Sequence, residues 1–300
     1  MRRRYVTLDV FTDRRYTGNP LAVVLDAEGL ETAEMQLIAA EFNYSETTFV
    51  LPARDTANTA HIRIFTPRFE LPFAGHPNVG TAFALASHLN GASSATHMRF
   101  EQASGIVSME LLREDGRIIG SELTAPQALA RRSAVPADMI ADCAGVPARH
   151  ILTGTHPPIV ASVGLPFILA EVDSREVLRE ALPDTAAFEA SFPVDGAGGI
   201  YLYTREVEDD RRDLCDIEAR MFSVLDGIWE DPATGSAAGA LTALLAKADP
   251  RSDAEFRLRV SQGVDLGRPS LIRGTATKEA GTLRSVRIGG ECVPVMEGTF

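Results

Sequence analysis

The pattern of apolar and polar positions predicts a chain of many short strands and few helices. Residues 5–11 alternate as a half-buried strand does, whereas Met35, Leu37, Ile38 and Phe42 recur at the spacing of one helical face within residues 32–42. For the rest of the first half we predict strands at 21–25, 47–51 and 61–65, a helix at 77–89, and a hairpin of residues 98–112 with 117–123 around Glu114-Asp115-Gly116.

The second half repeats this pattern after residues 124–136, which contain Pro126, Pro136 and Arg131-Arg132 and which we interpret as a domain boundary. We therefore predict domains at 1–125 and 126–300, with the last strand able to return to the first domain. In this half we predict helices at 139–144 and 232–247. We predict strands at 159–163, 167–172, 200–204, 219–223, 256–261, 270–272, 283–289 and 292–297.

A short sequence repeat links the two halves. Residues 76–82 are H-P-N-V-G-T-A and residues 231–237 are D-P-A-T-G-S-A, an offset of 231 − 76 = 155 residues. The preceding segments, R-I-F-T at 63–66 and R-M-F-S at 220–223, also agree. The repeat favours a duplicated architecture with a site in the cleft between two similar domains.

Both repeat segments predict the beginning of a helix. Asp231 is a good N-cap residue and Pro232 suits the first helical position, while His76-Pro77 begins its helix in the same way. The unpaired N–H groups of a helix N-terminus favour an anion such as a carboxylate. The same two segments are also explained without any ligand, as the starts of two well-capped helices that pack through small residues.

Glu46 is a candidate general acid and base. It lies at a predicted helix-to-strand junction, in N-Y-S-E-T-T-F-V at 43–50. A half-buried glutamate there would have a raised pKa through desolvation, as proton transfer near neutral pH requires. A turn-stabilising glutamate is an equally good interpretation of the letters. The position matched by the 155-residue offset is Tyr201, so the carboxylate would lie on one side only.

Composition and charge exclude several classes of function. The formal net charge of −12 argues against a broad nucleic-acid surface, and three scattered cysteines predict neither a disulfide framework nor a zinc site. No apolar signal core or membrane-length segment is present, so we expect a cytoplasmic protein. His150 and His156 lie six residues apart, which is a poor spacing for zinc, and phosphate-loop and nucleophile-elbow motifs are absent from the sequence.

Four segments together resemble the phenazine-biosynthesis PhzF-like family of the diaminopimelate epimerase-like superfamily, and Ser261-Gln262-Gly263 fits its C-terminal pattern. The resemblance implies an α+β fold of two similar domains related by pseudo-twofold symmetry, each a mostly antiparallel or mixed sheet wrapped around a central helix. The segments are F-T-D-R-R-Y-T-G-N-P-L-A-V-V at 11–24, N-Y-S-E-T-T-F-V-L-P at 43–52, R-I-F-T-P-R-F-E-L-P-F-A-G-H-P-N-V-G-T-A at 63–82 and E-D-P-A-T-G-S-A at 230–237.

The resemblance also implies site residues and partners. The acid/base glutamate of the family falls on Glu46, and its histidine and aspartate near the substrate fall on His76 and Asp231. We expect a carboxylate-bearing small molecule as substrate, no cofactor or metal, and a homodimer. The substrate-binding residues would be Gly75, Gly235, Ser236 and Asn19.

The chain departs from its relatives at two points. Asn78 stands where many members have threonine, and no cysteine lies near either repeat, which argues against a two-cysteine racemase. Three hypotheses follow. The first is a cofactor-independent isomerase that moves a proton through Glu46. The second is an epimerase or racemase with a non-cysteine base pair such as Glu46 and Asp231, and the third is a non-catalytic binding protein on the same fold.

Overall fold

A computed structural model describes residues 2–88 and 95–300, which form two compact units. Unit 1 comprises the chain up to Pro126 together with Ile288–Phe300, and unit 2 comprises Gln127–Arg287. The predicted helix end at Leu89 lies outside the described residues. Among the described residues, no helix is long and apolar enough to cross a membrane.

Unit 1 is a mixed sheet with one helix enclosed by its strands and one packed outside. Helix α1 covers the residues predicted for it, but Leu37 is exposed rather than part of the apolar face. The elements are β1 (Arg4–Val10), β2 (Asn19–Val24), α1 (Thr32–Phe42), β3 (Glu46–Leu51), β4 (Ala60–Phe65), β5 (Glu70–Leu71), α2 (Gly75–His88), β6 (His97–Gln102), β7 (Gly105–Glu114) and β8 (Arg117–Thr124).

Unit 2 contains the same kinds of element and two additional short helices that the sequence pattern did not predict, α4 and α5. The elements are β9 (Ala130–Ala134), α3 (Ala137–Ala144), β10 (Ile151–Leu152), β11 (Ile159–Ser162), β12 (Pro166–Val172), α4 (Arg175–Glu180), α5 (Thr185–Ser191), β13 (Ile200–Thr204), β14 (Ile217–Ser223), β15 (Ile228–Asp231), α6 (Gly235–Ala248), β16 (Ala254–Gln262), β17 (Ser270–Glu279) and β18 (Thr282–Thr299), whose later residues belong to unit 1.

The two units share one order of strand pairing. In unit 1, β1–β2 is antiparallel, β2–β3 parallel, β3–β4 antiparallel and β4–β6 parallel. In unit 2, β11–β12, β12–β13, β13–β14 and β14–β16 follow the same alternation. The short strands β5 and β15 each pair antiparallel with the strand before them. The architecture is therefore α+β with a mixed sheet in each unit.

Helices α2 and α6 form the interior of their units. Residues 75–86 of α2 and 235–246 of α6 are all buried, as expected for helices whose small and apolar residues cover every face. Helix α2 packs against β1, β2 and β8, and α6 against β11, β16 and β17. A Cβ atom at Gly80 would lie 2.5 Å from Leu21 Cδ2, so glycine permits this close approach of α2 to β2.

Several predicted boundaries are wrong. Helices α2 and α6 begin at Gly75 and Gly235 rather than at Pro77 and Pro232. The predicted first arm of the hairpin, 98–112, is two strands, β6 and β7, although the turn at Asp115-Gly116 is confirmed. The two final predicted strands are one strand, β18.

Candidate active site

In unit 1 the structure brings Glu46, His76 and Asn19 together. Glu46 begins β3 and His76 is the second residue of α2, with the Glu46 Oε2 atom 3.5 Å from His76 Nε2. Asn19 begins β2, and its Nδ2 atom lies 3.3 Å from His76 Nδ1. Ser45 Oγ donates a hydrogen bond to Asn19 Oδ1 at 3.3 Å. The imidazole ring therefore presents one nitrogen to an amide and the other to a carboxyl group.

The imidazole of His76 is neutral at physiological pH. Burial lowers its pKa to about 3, and a hydrogen bond to the carbonyl oxygen of Pro20 offsets only part of this effect. The Glu46 side chain is 13% exposed and the His76 side chain 4%. A carboxyl group that is largely buried, still partly exposed and beside a neutral imidazole is suited to exchanging a proton with a ligand.

The burial of His76 predicts a specific pH dependence of stability. Since its folded pKa of about 3 is below the unfolded value, the unfolded state binds an extra proton between about pH 3 and 6.5, and stability falls as the pH decreases through this range. Between pH 7 and 5 the wild type should lose about 2 kcal/mol of unfolding free energy relative to His76→Gln.

Urea denaturation of both proteins at several pH values measures this difference. The control is His88→Gln, which changes an exposed residue near the other end of α2. Parallel pH profiles for the wild type and the His76 variant would contradict a buried neutral imidazole.

In unit 2, Asp231 is held in a turn and does not cap the helix as predicted. It is the last residue of β15, and the N-cap of α6 is Thr234. Thr234 Oγ1 donates a hydrogen bond to Asp231 Oδ2 at 2.5 Å. Three residues separate the end of β15 from the start of α6. The Asp231 carboxylate therefore accepts a hydrogen bond from a side chain of the turn between them.

Gly235 and Ser236 form the first turn of α6. The amide of Ala238 is the first to bond within the helix, to the Thr234 carbonyl at 3.0 Å, so the three N–H groups before it have no acceptor inside the helix. The equivalent turn of α2 contains Pro77, which has no N–H group. The α6 turn is therefore the better anion donor set of the two.

The structure aligns the two halves differently from the 155-residue repeat. Arg63 forms a bidentate ion pair with Glu70, and Arg220 forms the same pair with Glu230. In each unit the central helix begins five residues after this glutamate, at Gly75 and Gly235. His76 therefore corresponds to Ser236, and Asp231 corresponds to Leu71.

The predicted equivalence of Glu46 with Tyr201 is also wrong. Thr47 pairs with Phe65 in unit 1, and Ile200 pairs with Phe222 in unit 2, which aligns Glu46 with Gly199. A Cβ atom at Gly199 would lie 2.5 Å from the Phe222 carbonyl oxygen. Unit 2 has no space for a side chain at this position, so the carboxyl group is present in one unit only.

Comparisons with known proteins give the family. Residues 8–298 match the PhzC–PhzF description, phenazine biosynthesis-like protein. The chain belongs to the PhzF family. It is 38% identical to an uncharacterised isomerase of Mesorhizobium japonicum and 35% identical to the trans-2,3-dihydro-3-hydroxyanthranilate isomerase of Pseudomonas chlororaphis, each over 99% of this chain and 98% of the relative.

The fold agrees with this assignment. The crystal structure of a PhzF-family phenazine biosynthesis protein from Bacillus anthracis matches with a TM-score of 0.87 and 25% identity, over 100% of this chain and 99% of the other. The resemblance inferred from the sequence motifs is confirmed, and the chain is an isomerase of the PhzF family.

Gln262 and Tyr201 contact the candidate site residues of unit 2 but were not predicted as parts of the site. Gln262 hydrogen-bonds to Asp231 and Thr234, and the hydroxyl group of the buried Tyr201 donates to Gln262. A spacing shared by both halves, E-x-P-x-x-G at 70–75 and 230–235, would have given the correct alignment. No cluster of three metal-ligating side chains occurs within residues 2–88 and 95–300.

Proposed function

We propose that this isomerase moves a proton within a small carboxylate-bearing substrate and that Glu46 is its general acid and base. The observation that carries the proposal is the position of the Glu46 carboxyl group, 3.5 Å from the neutral, buried imidazole of His76. Two relatives support this class of reaction, since both are 35% identical to this chain and are named trans-2,3-dihydro-3-hydroxyanthranilate isomerases.

The proposed proton transfer needs neither an oxidant nor a reductant. The Glu46 carboxylate removes a proton from an activated C–H group, and the electron pair of that bond enters the conjugated system of the substrate. The protonated Glu46 then returns the proton to another carbon of the same system. One carboxyl group suffices when both transfers occur on one face of the substrate.

His76 and the first turn of α6 have supporting roles in this proposal. The imidazole, with Nε2 3.5 Å from Glu46 Oε2, positions the reacting carboxyl group. The N–H groups at Gly235 and Ser236 bind the substrate carboxylate and stabilise the charge that develops on it. That Glu46 and the Asp231–Ser236 segment contact the same substrate molecule, across a pseudo-twofold pair of domains, stays a prediction, as do the homodimer and the cytoplasmic location.

Heavy water tests the proposal directly. The protein is incubated in deuterium oxide with trans-2,3-dihydro-3-hydroxyanthranilate and with a panel of other small unsaturated carboxylic acids. We expect an isomerised product that carries deuterium at one carbon, detected by mass spectrometry and NMR. The proposal fails if no acid in the panel is isomerised or exchanged.

An epimerase is the second candidate, since Asp231 supplies a further carboxylate. It requires acids on opposite faces of one carbon, and the position equivalent to Glu46 in unit 2 is Gly199. Deuterium at a stereocentre with inversion would favour the epimerase, whereas a shifted double bond favours the isomerase.

A further inference from the structure

The side chain of Gln262 is fully buried at the end of β16 and uses all of its hydrogen-bonding positions within unit 2. Its Nε2 atom donates to the Asp231 carbonyl at 2.8 Å and to Thr234 Oγ1 at 3.1 Å. Its Oε1 atom accepts from the Thr234 amide at 3.0 Å and from the Tyr201 hydroxyl at 3.0 Å. One amide therefore contacts both ends of the turn between β15 and α6.

These contacts fix the direction of the next hydrogen bond. An amide NH₂ group can only donate, so Thr234 Oγ1 accepts from Gln262. The hydroxyl hydrogen of Thr234 is then free to point at Asp231 Oδ2, which lies 2.5 Å away. The chain of donors ends on the Asp231 carboxylate and favours its charged form.

Two further side chains near Asp231, those of Tyr201 and Glu230, have fixed partners of their own. Burial raises the pKa of the Tyr201 phenol, and the negative charge of Asp231 raises it further, so Tyr201 remains a donor to Gln262. The neighbouring Glu230 forms its own ion pair with Arg220. Thr234 hydrogen-bonds to the carboxylate of Asp231, and Gln262 hydrogen-bonds to its carbonyl oxygen.

We propose that Gln262 is a positioning residue that orients the Thr234 hydroxyl toward Asp231 and fixes the first turn of α6. The orientation of the Thr234 hydroxyl can be tested without any substrate, whereas its use in catalysis rests on the proposed function above. Gln262 acts through Asp231 and Thr234 and needs no contact with the substrate itself.

Unit 1 contains a related glutamine, Gln102, which contacts an amide side chain at the start of α2 instead of a turn that carries a carboxylate. Gln102 ends β6 as Gln262 ends β16, and its amide pairs with the amide of Asn78, which in turn donates to the Ala74 carbonyl at 2.8 Å. Gln102 therefore stabilises the start of α2 through another amide. In unit 2 the glutamine instead contacts a turn that carries a carboxylate, which is why a catalytic consequence is expected there.

The test is a carboxyl-carbon NMR titration of Asp231, with its signal assigned through Asp231→Asn. Thr234→Val removes the donor and should raise the pKa of Asp231 by about one unit, since hydrogen bonds to the charged form stabilise it. Gln262→Met frees the Thr234 hydroxyl to rotate and should raise the pKa in the same direction. The matched control is Ser270→Ala, which removes a hydrogen bond to the Pro232 carbonyl in the same turn.

A change confined to the Thr234 and Gln262 variants supports the proposal. An unchanged Asp231 titration in both, or an equal change in Ser270→Ala, overturns it, because a general loosening of the turn would then explain every variant. If the titration changes as expected while no carboxylic acid exchanges deuterium, the positioning role stands and the proposed function fails.

Gln262→Glu gives a second readout in the active enzyme. Its ionised carboxylate can accept from Thr234 and Tyr201 but cannot donate, and protonation restores one donor. The activity relative to wild type should therefore be reduced at least tenfold at pH 8 and should recover toward pH 5. A deficit that is the same at every pH would contradict the donor role of Gln262.

Discussion

Replacing Glu46 by glutamine is expected to lower kcat by about 10²–10⁴-fold, the range that general acid/base catalysis contributes. Glutamine keeps the size and the polarity of the side chain but cannot take up a proton from a C–H group. Because burial lowers the pKa of the neighbouring His76 to about 3, its imidazole is too weak a base to replace the carboxylate. Turnover of trans-2,3-dihydro-3-hydroxyanthranilate, or of the acid that exchanges in heavy water, measures the loss.

Two further variants separate chemistry from binding. Glu46→Asp retains the carboxyl group but withdraws it from the substrate, and a misplacement of about 1 Å can cost about 10²-fold in rate. Glu41→Gln makes the same chemical change at the exposed end of α1 and should leave kcat unaltered. The KM for the same acid should be nearly unchanged in all three variants. Wild-type turnover in Glu46→Gln would assign the proton transfer to another residue.

The local part of the site could be predicted from the sequence. Glu46, His76 and Asn19 are each fixed by a short motif at the start of a strand or helix, and the β2–β3 and β3–β4 pairings of unit 1 bring these starts together. Both ends of helix α1 agree with the prediction, because Met35, Ile38 and Phe42 recur at helical spacing and pack in one cluster, whereas Leu37 lies outside it. Local sequence patterns are sufficient to predict an element when residues close in sequence determine where it begins and ends.

The H-P-N-V-G-T-A and D-P-A-T-G-S-A repeat gave the wrong correspondence between the halves. Gly80 and Gly235 match in the repeat, yet Gly80 is the sixth residue of α2 and Gly235 the first of α6. The true alignment depends on where β5 and β15 end and on the Arg–Glu pairs that fix them, which are contacts between strands. The contact of Gln262 with Asp231, 31 residues apart, is likewise set by tertiary structure.

Strand β18 was predicted as two strands. The predicted strands at 283–289 and 292–297 leave a break at Gly290-Glu291, but β18 continues through both residues. A Cβ atom at Gly289 would lie 2.6 Å from the Ser121 carbonyl oxygen of β8. Gly289 therefore permits close approach of β18 to β8, which is another common use of glycine in a sheet.

The second large effect is expected at Glu230, on the stability of unit 2. Arg220 and Glu230 are 10% and 4% exposed, with Nη2–Oε2 and Nε–Oε1 distances of 2.7 and 3.0 Å. The guanidinium also lies 4.9 Å from the ring centroid of Phe222, and its Nη1 atom donates to three carbonyl oxygens at the end of α4, those of Leu178, Arg179 and Ala181. Glu230→Gln would leave a buried cation without its counter-charge.

The duplicated pair in unit 1 provides the matched control. Arg63 and Glu70 have the same bidentate geometry and the same aromatic neighbour, with the Arg63 guanidinium 5.1 Å from the Phe65 ring centroid, but their side chains are 19% and 36% exposed. Breaking a buried ion pair by removing one partner costs about 3–5 kcal/mol, whereas exposed pairs contribute about 0–1 kcal/mol. Glu230→Gln should therefore cost several times more than Glu70→Gln.

Guanidinium denaturation of the two variants measures the difference as a change in unfolding free energy. The double variant Arg220→Met with Glu230→Met should recover part of the loss, because it removes the buried charge that the single variant leaves behind. Recovery should be incomplete, since three carbonyl oxygens lose the guanidinium as a donor. Equal destabilisation by Glu70→Gln and Glu230→Gln would show that burial does not set the strength of this pair. In that case the geometry common to both units, rather than the depth of Arg220, would stabilise the turn ahead of each central helix.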